Sequence, residues 1–270
     1  NNICLSGGTF MNIKANKEVM GLDAVKDIFI FPSCGDETNA IGACYYTHEK
    51  ETGQKPESLR NFYLGREWSE QEIISQVDEF DTGNLLIERH DNVERVVAEL
   101  LANDKVVARF HGREEFGARA LGNRSILANP SRWSVISEIN DMIKKRDFWM
   151  PFACSILEED SERYLRGTGK NEPLYMIMAF DGGEEIASIV AGTHPRDHTV
   201  RPQLVRQTQA PGYHAIISNF KELTGIGGVL NTSFNLHGWP LVHSPTDALT
   251  VLNTSGLRYL ALGNYLISKV

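Results

Sequence analysis

The chain has 270 residues, 41 % hydrophobic and 23 % charged, a globular balance that argues against disorder; no apolar run approaches the ~20 residues of a bilayer span. Its formal net charge of -8 argues against a general nucleic-acid surface, because neutralising phosphates needs a clustered basic face, so the arginines must act locally. Cys4, Cys34, Cys44 and Cys154 lie far apart with no C-x-x-C pair, which disfavours a disulfide framework and points to a reducing cytoplasm.

The length suits two ordinary domains slightly better than one large one. The chain opens without Met or a signal-peptide pattern, on a strand-like run entering a glycine pair, so it reads as a piece of a longer protein. Ile3 to Leu5 predicts a strand, and Ser6-Gly7-Gly8-Thr9 after it is either a plain turn or a set of backbone N–H groups facing a phosphate or sugar. Ile28 to Phe31 predicts a second strand, Thr38 to Tyr46 a helix, and Asp36 between them either a helix N-cap or a metal-binding carboxylate.

From His48 to about Thr82 the texture is polar, with a breaker cluster at Thr52 to Pro56, a short strand at Tyr63 to Gly65, and a capping signal at Ser69 to Glu72 that opens a short helix. This stretch is the expected connector. Asp91 to Ala102 carries the apolar spacing of an amphipathic helix, and Val106 to Phe110 is strand-like.

The segment from Phe110 to Asn129 is the densest in cations and glycines. Arg113, Arg119 and Arg124 sit among Gly112, Gly117 and Gly122. Guanidinium groups bind phosphate or carboxylate as a flat fork, so this is either an anion site or a solvated loop with ion pairs to Glu114 and Glu115. Ser131 to Lys145 predicts a helix ending in Lys144-Lys145-Arg146, next to an apolar run at Trp149 to Ala153.

Strands are expected at Ser155 to Leu157, Tyr175 to Phe180 and Ile186 to Val190. The loop Thr193 to Arg201 has the wrong spacing for a helix-borne zinc pair; ligand contact by Arg196 or Arg201 fits it better. A helix spans Pro211 to Thr224, and the strand after Gly228 ends in the small polar side chains of Asn231 to Asn235, as binding loops at a sheet edge often do. Ser244 to Asp247 starts a further helix, and Tyr259 to Ile267 closes as a hairpin around Gly263-Asn264.

Six segments in order resemble the C-terminal part of the NodU/CmcH-type carbamoyltransferases: SGGTFMNIKAN (6–16), GDETNAIGA (35–43), GREEFGARALGNRSIL (112–127), INDMIKKRDFWMPFA (139–153), the loop from His194 to Gln203, and NTSFN (231–235). These proteins join a sugar-kinase-like domain, related to the threonylcarbamoyl-transfer proteins, to a YrdC-like domain. The resemblance implies an α/β fold: residues 1–50 as the end of a sugar-kinase/actin-like lobe, 51–85 as the connector, and 86–270 as a YrdC-like domain with a twisted mixed sheet and flanking helices. It implies that Gly7, Gly8 and Asn12 face nucleotide, and that Asp36 is a ligand of Fe2+ or another divalent metal whose histidine partners lie upstream.

The family's K-x-R and S-x-N elements match Lys144-Lys145-Arg146 and Ser233-Phe234-Asn235. By resemblance, this domain makes carbamoyl-adenylate from carbamoyl phosphate and ATP with Mg2+, for transfer to an acceptor hydroxyl in the other domain. Lys144, Arg146, Ser233 and Asn235 would carry the chemistry, and Arg113, Arg119, Arg124, Arg201 and Asn231 would bind nucleotide and anion; gathering such charge calls for positioned cations and donors rather than a nucleophile. The expected partners are the two substrates and a small hydroxyl-bearing acceptor, without nucleic acid or membrane, in a cytoplasmic protein for which a homodimer is allowed. Met150 and Cys154 depart from the family's arginine before Pro-Phe-Ala-Pro. That departure motivates the alternative, a non-catalytic nucleotide- or anion-binding module; threonylcarbamoyl-adenylate synthesis and double-stranded RNA binding rank lower.

Overall fold

The computed structural model describes residues 1–145, 152–168 and 172–270. At the start, β1 (Asn2–Leu5) pairs in parallel with β2 (Asp27–Ile30) across helix α1 (Ile13–Met20), as the two apolar runs predict. Helix α2 (Asn39–Thr52) follows and stops at Gly53, whose φ of 66° is the left-handed C-cap that glycine adopts cheaply.

An eight-stranded mixed sheet forms the body of the molecule. Its strands are β3 (Leu85–Arg89), β4 (Val107–Phe110), β5 (Arg124–Ala128), β6 (Ala153–Leu157), β9 (Pro202–Val205), β10 (Gly228–Ser233), β11 (Tyr259–Leu262) and β12 (Tyr265–Lys269). They lie in the order β3-β12-β11-β4-β5-β10-β6-β9, parallel at β11/β4 and β6/β9 and antiparallel elsewhere. A small ribbon of β7 (Leu165–Arg166) and β8 (Asp181–Gly182) stands apart.

The period of two along the strands divides the core between the two faces. Val107, Leu127, Leu157, Val205 and Val229 meet helices α4 (Val93–Ala102) and α7 (Pro211–Thr224), whose own stripes of Val97, Leu101, Ile217 and Phe220 are fully buried. Ala108, Ile126, Ile156, Leu204 and Leu230 point the other way, onto α3 (Glu70–Glu79), α5 (Val135–Ile139), α8 (Pro245–Thr254) and the N-terminal segment through Ile28, Ile30 and Cys34. The predicted capping signal forms at Ser69 with Glu72 on α3, and the predicted helix start at Ser244 with Asp247 on α8 forms another, each an N-cap hydroxyl and an N3 carboxylate exchanging bonds with the other's backbone N–H.

The mixed α/β sheet with flanking helices is the expected architecture, and four local expectations need correction. Tyr63 to Gly65 forms no strand of its own, because its backbone is spent on the loop ahead of it: Phe116 N–H donates to Phe62 O, Gly65 N–H to Glu114 O and Glu114 N–H to Arg66 O. Tyr175 to Phe180 is irregular apart from a bridge between Phe180 and Val200. Ile186–Gly192 is 3-10 structure kinked at Ile189, with Ile189 and Ala191 buried in the core and Ile186 packed against it rather than paired as a strand. The helix expected over Ser131 to Lys145 is regular only from Val135 to Ile139 and widens to a π-helix over Asn140–Lys144, ending where Lys145 takes a φ of 44°.

Candidate anion and nucleotide site

Sheet register brings the polar segments to one edge. Strand β10 ends at Ser233 opposite Ser125, Asn231 lies opposite Ala153, and Cys154 lies opposite Pro202, so Arg201 enters β9 beside the start of β6. The loop between β4 and β5 crosses this edge. The result is a cavity of about 50 Å³ whose walls include Arg119, Phe152, Arg201, Asn231, Thr232 and Ser233.

Lys144 reaches the same strand end from the π-helix. Its side chain is 1 % exposed, and its ammonium donates to Ser233 Oγ (3.1 Å), Asn235 Oδ1 (2.6 Å), Asn235 O (3.2 Å) and Ser233 O. Ser233 Oγ in turn donates to Asn235 Oδ1 at 2.7 Å, while Asn235 Nδ2 donates to Trp239 O at 2.7 Å. The Ser-x-Asn element is thus folded around a buried ammonium. A widened helical turn is a common device for aiming one side chain, and here it aims Lys144.

The remaining arginines of the Arg/Gly segment do different work. Arg124 is fully buried, with its guanidinium stacked 3.6 Å over the Phe110 ring and donating to the carbonyls of His111 (2.8 Å), Asn123 (3.1 Å) and Gly112 (3.2 Å). Burial lowers its pKa to about 10, still charged at neutral pH. Arg113 donates to the carbonyls of Tyr63 (3.0 Å) and Leu64 (2.8 Å), tying the connector to the loop. Neither lines the cavity. Arg146 lies outside the described residues, as does Met150.

A second polar layer stands behind the cavity. Asn231 Nδ2 donates to Ala120 O (3.1 Å) and Ser155 Oγ (3.0 Å), Ser155 Oγ donates to Gln203 Oε1 (2.7 Å), and Gln203 Nε2 donates to Leu121 O (2.9 Å). Beyond it, Arg109 donates to Gly122 O (2.7 Å) and Asn123 Oδ1 (2.9 Å). Arg109 first, then burial and Arg124, push the neighbouring His111 down to about 3, so its ring is neutral over the working range. Sequence reasoning passed over Arg109, Ser155 and Gln203 and weighed Glu115 only as an ion-pair partner of the loop's arginines; for the three on strands, a polar residue inside an apolar strand was the available signal.

In the N-terminal segment, Asn12 caps α1 by accepting from Lys14 N–H (3.1 Å) and Ala15 N–H (3.2 Å), while Gly7 (φ 103°) and Gly8 form the turn after β1. Asp36 is exposed at the first position of a short 3-10 helix, Asp36–Thr38, with Gly35 rather than Asp36 in the cap position. Its neighbour Glu37 accepts a bond from Ser33, which leads the causes holding its carboxyl below the usual range. Among the described residues no three His, Cys, Asp or Glu side chains come together to hold a metal, so these residues alone do not fit one. Arg196 is exposed, and Asp197 in the same loop pairs with Lys14. Burial would raise Asp197, yet bonds from Lys14 and Thr199 hold it well below the carboxylate range.

A larger cavity, about 770 Å³, is an apolar groove over β1, β2 and α2, lined by Phe29, Phe31, Tyr45 and Phe62. Among the described residues no arginine or lysine lines it, so for anionic ligands the small cationic cavity is the better candidate. Arg119, which lines the cationic cavity, also borders a narrow space beside Met11, Ser33 and Cys34.

Residues 98–269 match the family model described as carbamoyltransferase C-terminus, and residues 1–45 match that described as carbamoyltransferase N-terminus. The chain belongs to the carbamoyltransferase family. Among the curated relatives of this chain, nodulation protein NolO of Bradyrhizobium diazoefficiens is 33 % identical over 99 % of the chain and 49 % of its own length. The 3'-hydroxymethylcephem-O-carbamoyltransferase of Amycolatopsis lactamdurans is 28 % identical over 96 % and 47 %. The chain spans about half the length of the curated relatives it matches. Among solved structures, full-length HypF in its phosphate- and nucleotide-bound form aligns over 68 % of this chain and 22 % of its own at 17 % identity and a TM-score of 0.43, too distant to carry a functional argument. Among the described residues no helix is long and apolar enough to cross a membrane.

Proposed function

We propose that the cavity at the sheet edge receives the reacting anionic groups of carbamoyl phosphate and ATP, with the nucleoside outside it, and that carbamoyl-adenylate forms there, whose carbamoyl group the whole protein passes to an acceptor hydroxyl. The observation that supports this most is the convergence of four segments remote in sequence: Arg119, Arg201, Asn231 and Ser233 share one cavity, and the buried Lys144 ammonium is bonded to Ser233 and Asn235. Such an arrangement suits a reaction that crowds negative charge, where fixed cations in a site poor in water stabilise the developing charge without reorganising.

The atoms balance only if one water is consumed. Carbamoyl phosphate, ATP and water give carbamoyl-adenylate, phosphate and pyrophosphate: water cleaves carbamoyl phosphate to carbamate and phosphate, and a carbamate oxygen then bonds to the α-phosphorus as the α–β phosphoanhydride breaks and pyrophosphate leaves. Arg119 and Arg201 would neutralise the phosphate oxygens, and the Lys144/Ser233/Asn235 cradle would orient the reacting oxygens. ATP would arrive with Mg2+ on its phosphates. No step is assigned to Asp36.

The test uses the full-length protein with both substrates and reads phosphate and pyrophosphate together. Release in equal amounts is expected, with Lys144→Ala and Ser233→Ala each reducing both by 100-fold or more, roughly 3 kcal/mol of barrier at ~1.4 kcal/mol per tenfold. ATP binding without release of either product would favour the non-catalytic module instead.

A further inference from the structure

The segment that carries Arg119 is anchored by one side chain that the reaction itself does not use. Glu115 is 6 % exposed, and its Oε1 accepts three backbone N–H bonds, from Leu121 (2.9 Å), Asn123 (2.7 Å) and Arg124 (3.1 Å). Backbone N–H groups aimed at one point through a left-handed residue form a nest for an anion, and Gly122, with φ at 116°, supplies that residue. A backbone nest is therefore present in this loop, but its anion is internal.

Arg119 lies between the two fixed points of this arrangement. Gly117, with φ at 112°, starts the turn against Ser33, where a Cβ would come within 2.9 Å of Ser33 Cβ. Gly122 closes it against the Tyr213 ring, where a Cβ would come within 2.3 Å of Cδ1. Neither contact leaves room for the loop to slide, and Glu115 pins the closing end. Arg109 and Arg124 supply positive charge around the Glu115 carboxylate.

We infer that Glu115 is a positioning residue: by filling the backbone nest at 121–124 it presets Arg119 against the cavity, so anion affinity depends on Glu115 only through Arg119. The inference rests on the proposed binding of carbamoyl phosphate at this cavity. Ordering a loop before the ligand arrives removes that cost from binding, and pre-ordering of a single long cation is within reach of one buried carboxylate.

The experiment is a double-mutant cycle on the full-length protein, with calorimetric affinity for carbamoyl phosphate as the readout and thermal melting as the control. Arg119→Ala is expected to weaken binding about 10-fold or more. Glu115→Gln keeps an acceptor but loses the charge, and is expected to weaken binding about 3- to 10-fold alone and not at all in the Arg119→Ala background. Glu115→Asp, which keeps the charge but is one methylene short of the nest, is expected to behave like Glu115→Gln; should Glu115→Gln fail to fold, the cycle is run with Glu115→Asp. An equal further loss in both backgrounds, or no loss in either, overturns the role of Glu115 while leaving the site intact. A wild-type protein that binds no carbamoyl phosphate overturns the site and this inference with it.

Discussion

Two halves of one segment, five residues apart at their arginines, have opposite fates. Arg124 opens β5 and turns inward, where three carbonyls and the Phe110 ring occupy its guanidinium. Arg119 sits on the turn between Gly117 and Gly122 and borders the cavity with Arg201 and Ser233. The contrast teaches that a dense run of arginines and glycines is not uniformly a ligand site. Some guanidiniums stabilise the loop, and a loop so stabilised can hold another one out toward a ligand.

The widest way to break that contrast is to remove each arginine in turn. Arg124→Ala is expected to act on the fold, costing about 3 to 5 kcal/mol because it strips a buried charge from carbonyls and from Glu115, and lowering Tm by roughly 6 to 20 °C. Arg119→Ala is expected to leave Tm within about 2 °C of wild type and to raise KM for carbamoyl phosphate by roughly 10- to 100-fold, the size of one charged hydrogen bond. If the two variants exchanged these phenotypes, the division of labour would be wrong.

A smaller effect sharpens the structural half. His111 is held near 3 in the folded chain against about 6.5 unfolded, so the unfolded state takes up the proton first as pH falls. Stability from this group is present in full above about pH 6.5 and is lost as pH drops from there toward 3, at no more than ~1.4 kcal/mol per unit and less because the ring is partly exposed. His111→Gln should flatten the urea-midpoint profile between pH 6 and 4; an unchanged slope would place the acid sensitivity elsewhere. The smallest effect is expected at Arg113, whose guanidinium bonds only the connector's carbonyls among its described partners: Arg113→Ala should cost about 1 kcal/mol of stability and leave KM unchanged.

Much of the fold was legible because local chemistry and global packing agree. The period-two strands, the Gly225 stop, the Ser69 capping box, the Ser244 helix start and the closing hairpin all stand where their residues predict. Two of the four misreadings share a cause. Tyr175 to Phe180 and Ile186 to Val190 are apolar because they are buried in or packed against the core, and burial alone does not distinguish a strand from an irregular or 3-10 segment. At the site, Lys144, Arg119, Arg201, Asn231 and Ser233 were chosen from the sequence and do come together. Arg113 and Arg124 were chosen by the same criterion and do not, since composition cannot tell a guanidinium that faces a cavity from one that closes a loop. Glu115 was weighed only as an ion-pair partner, because its actual partners are backbone N–H groups, which leave no mark in a sequence.

The central claim is that these remote cations and small polar groups form one receptacle for carbamoyl phosphate and nucleotide. It is tested most directly by a crystal structure of the full-length protein with carbamoyl phosphate and a non-hydrolysable ATP analogue. Phosphate oxygens within about 3 Å of Arg119 and Arg201, with the carbamoyl group against Ser233 and Lys144, are the expected result. Both ligands bound elsewhere, with Arg119 and Arg201 untouched, would contradict it.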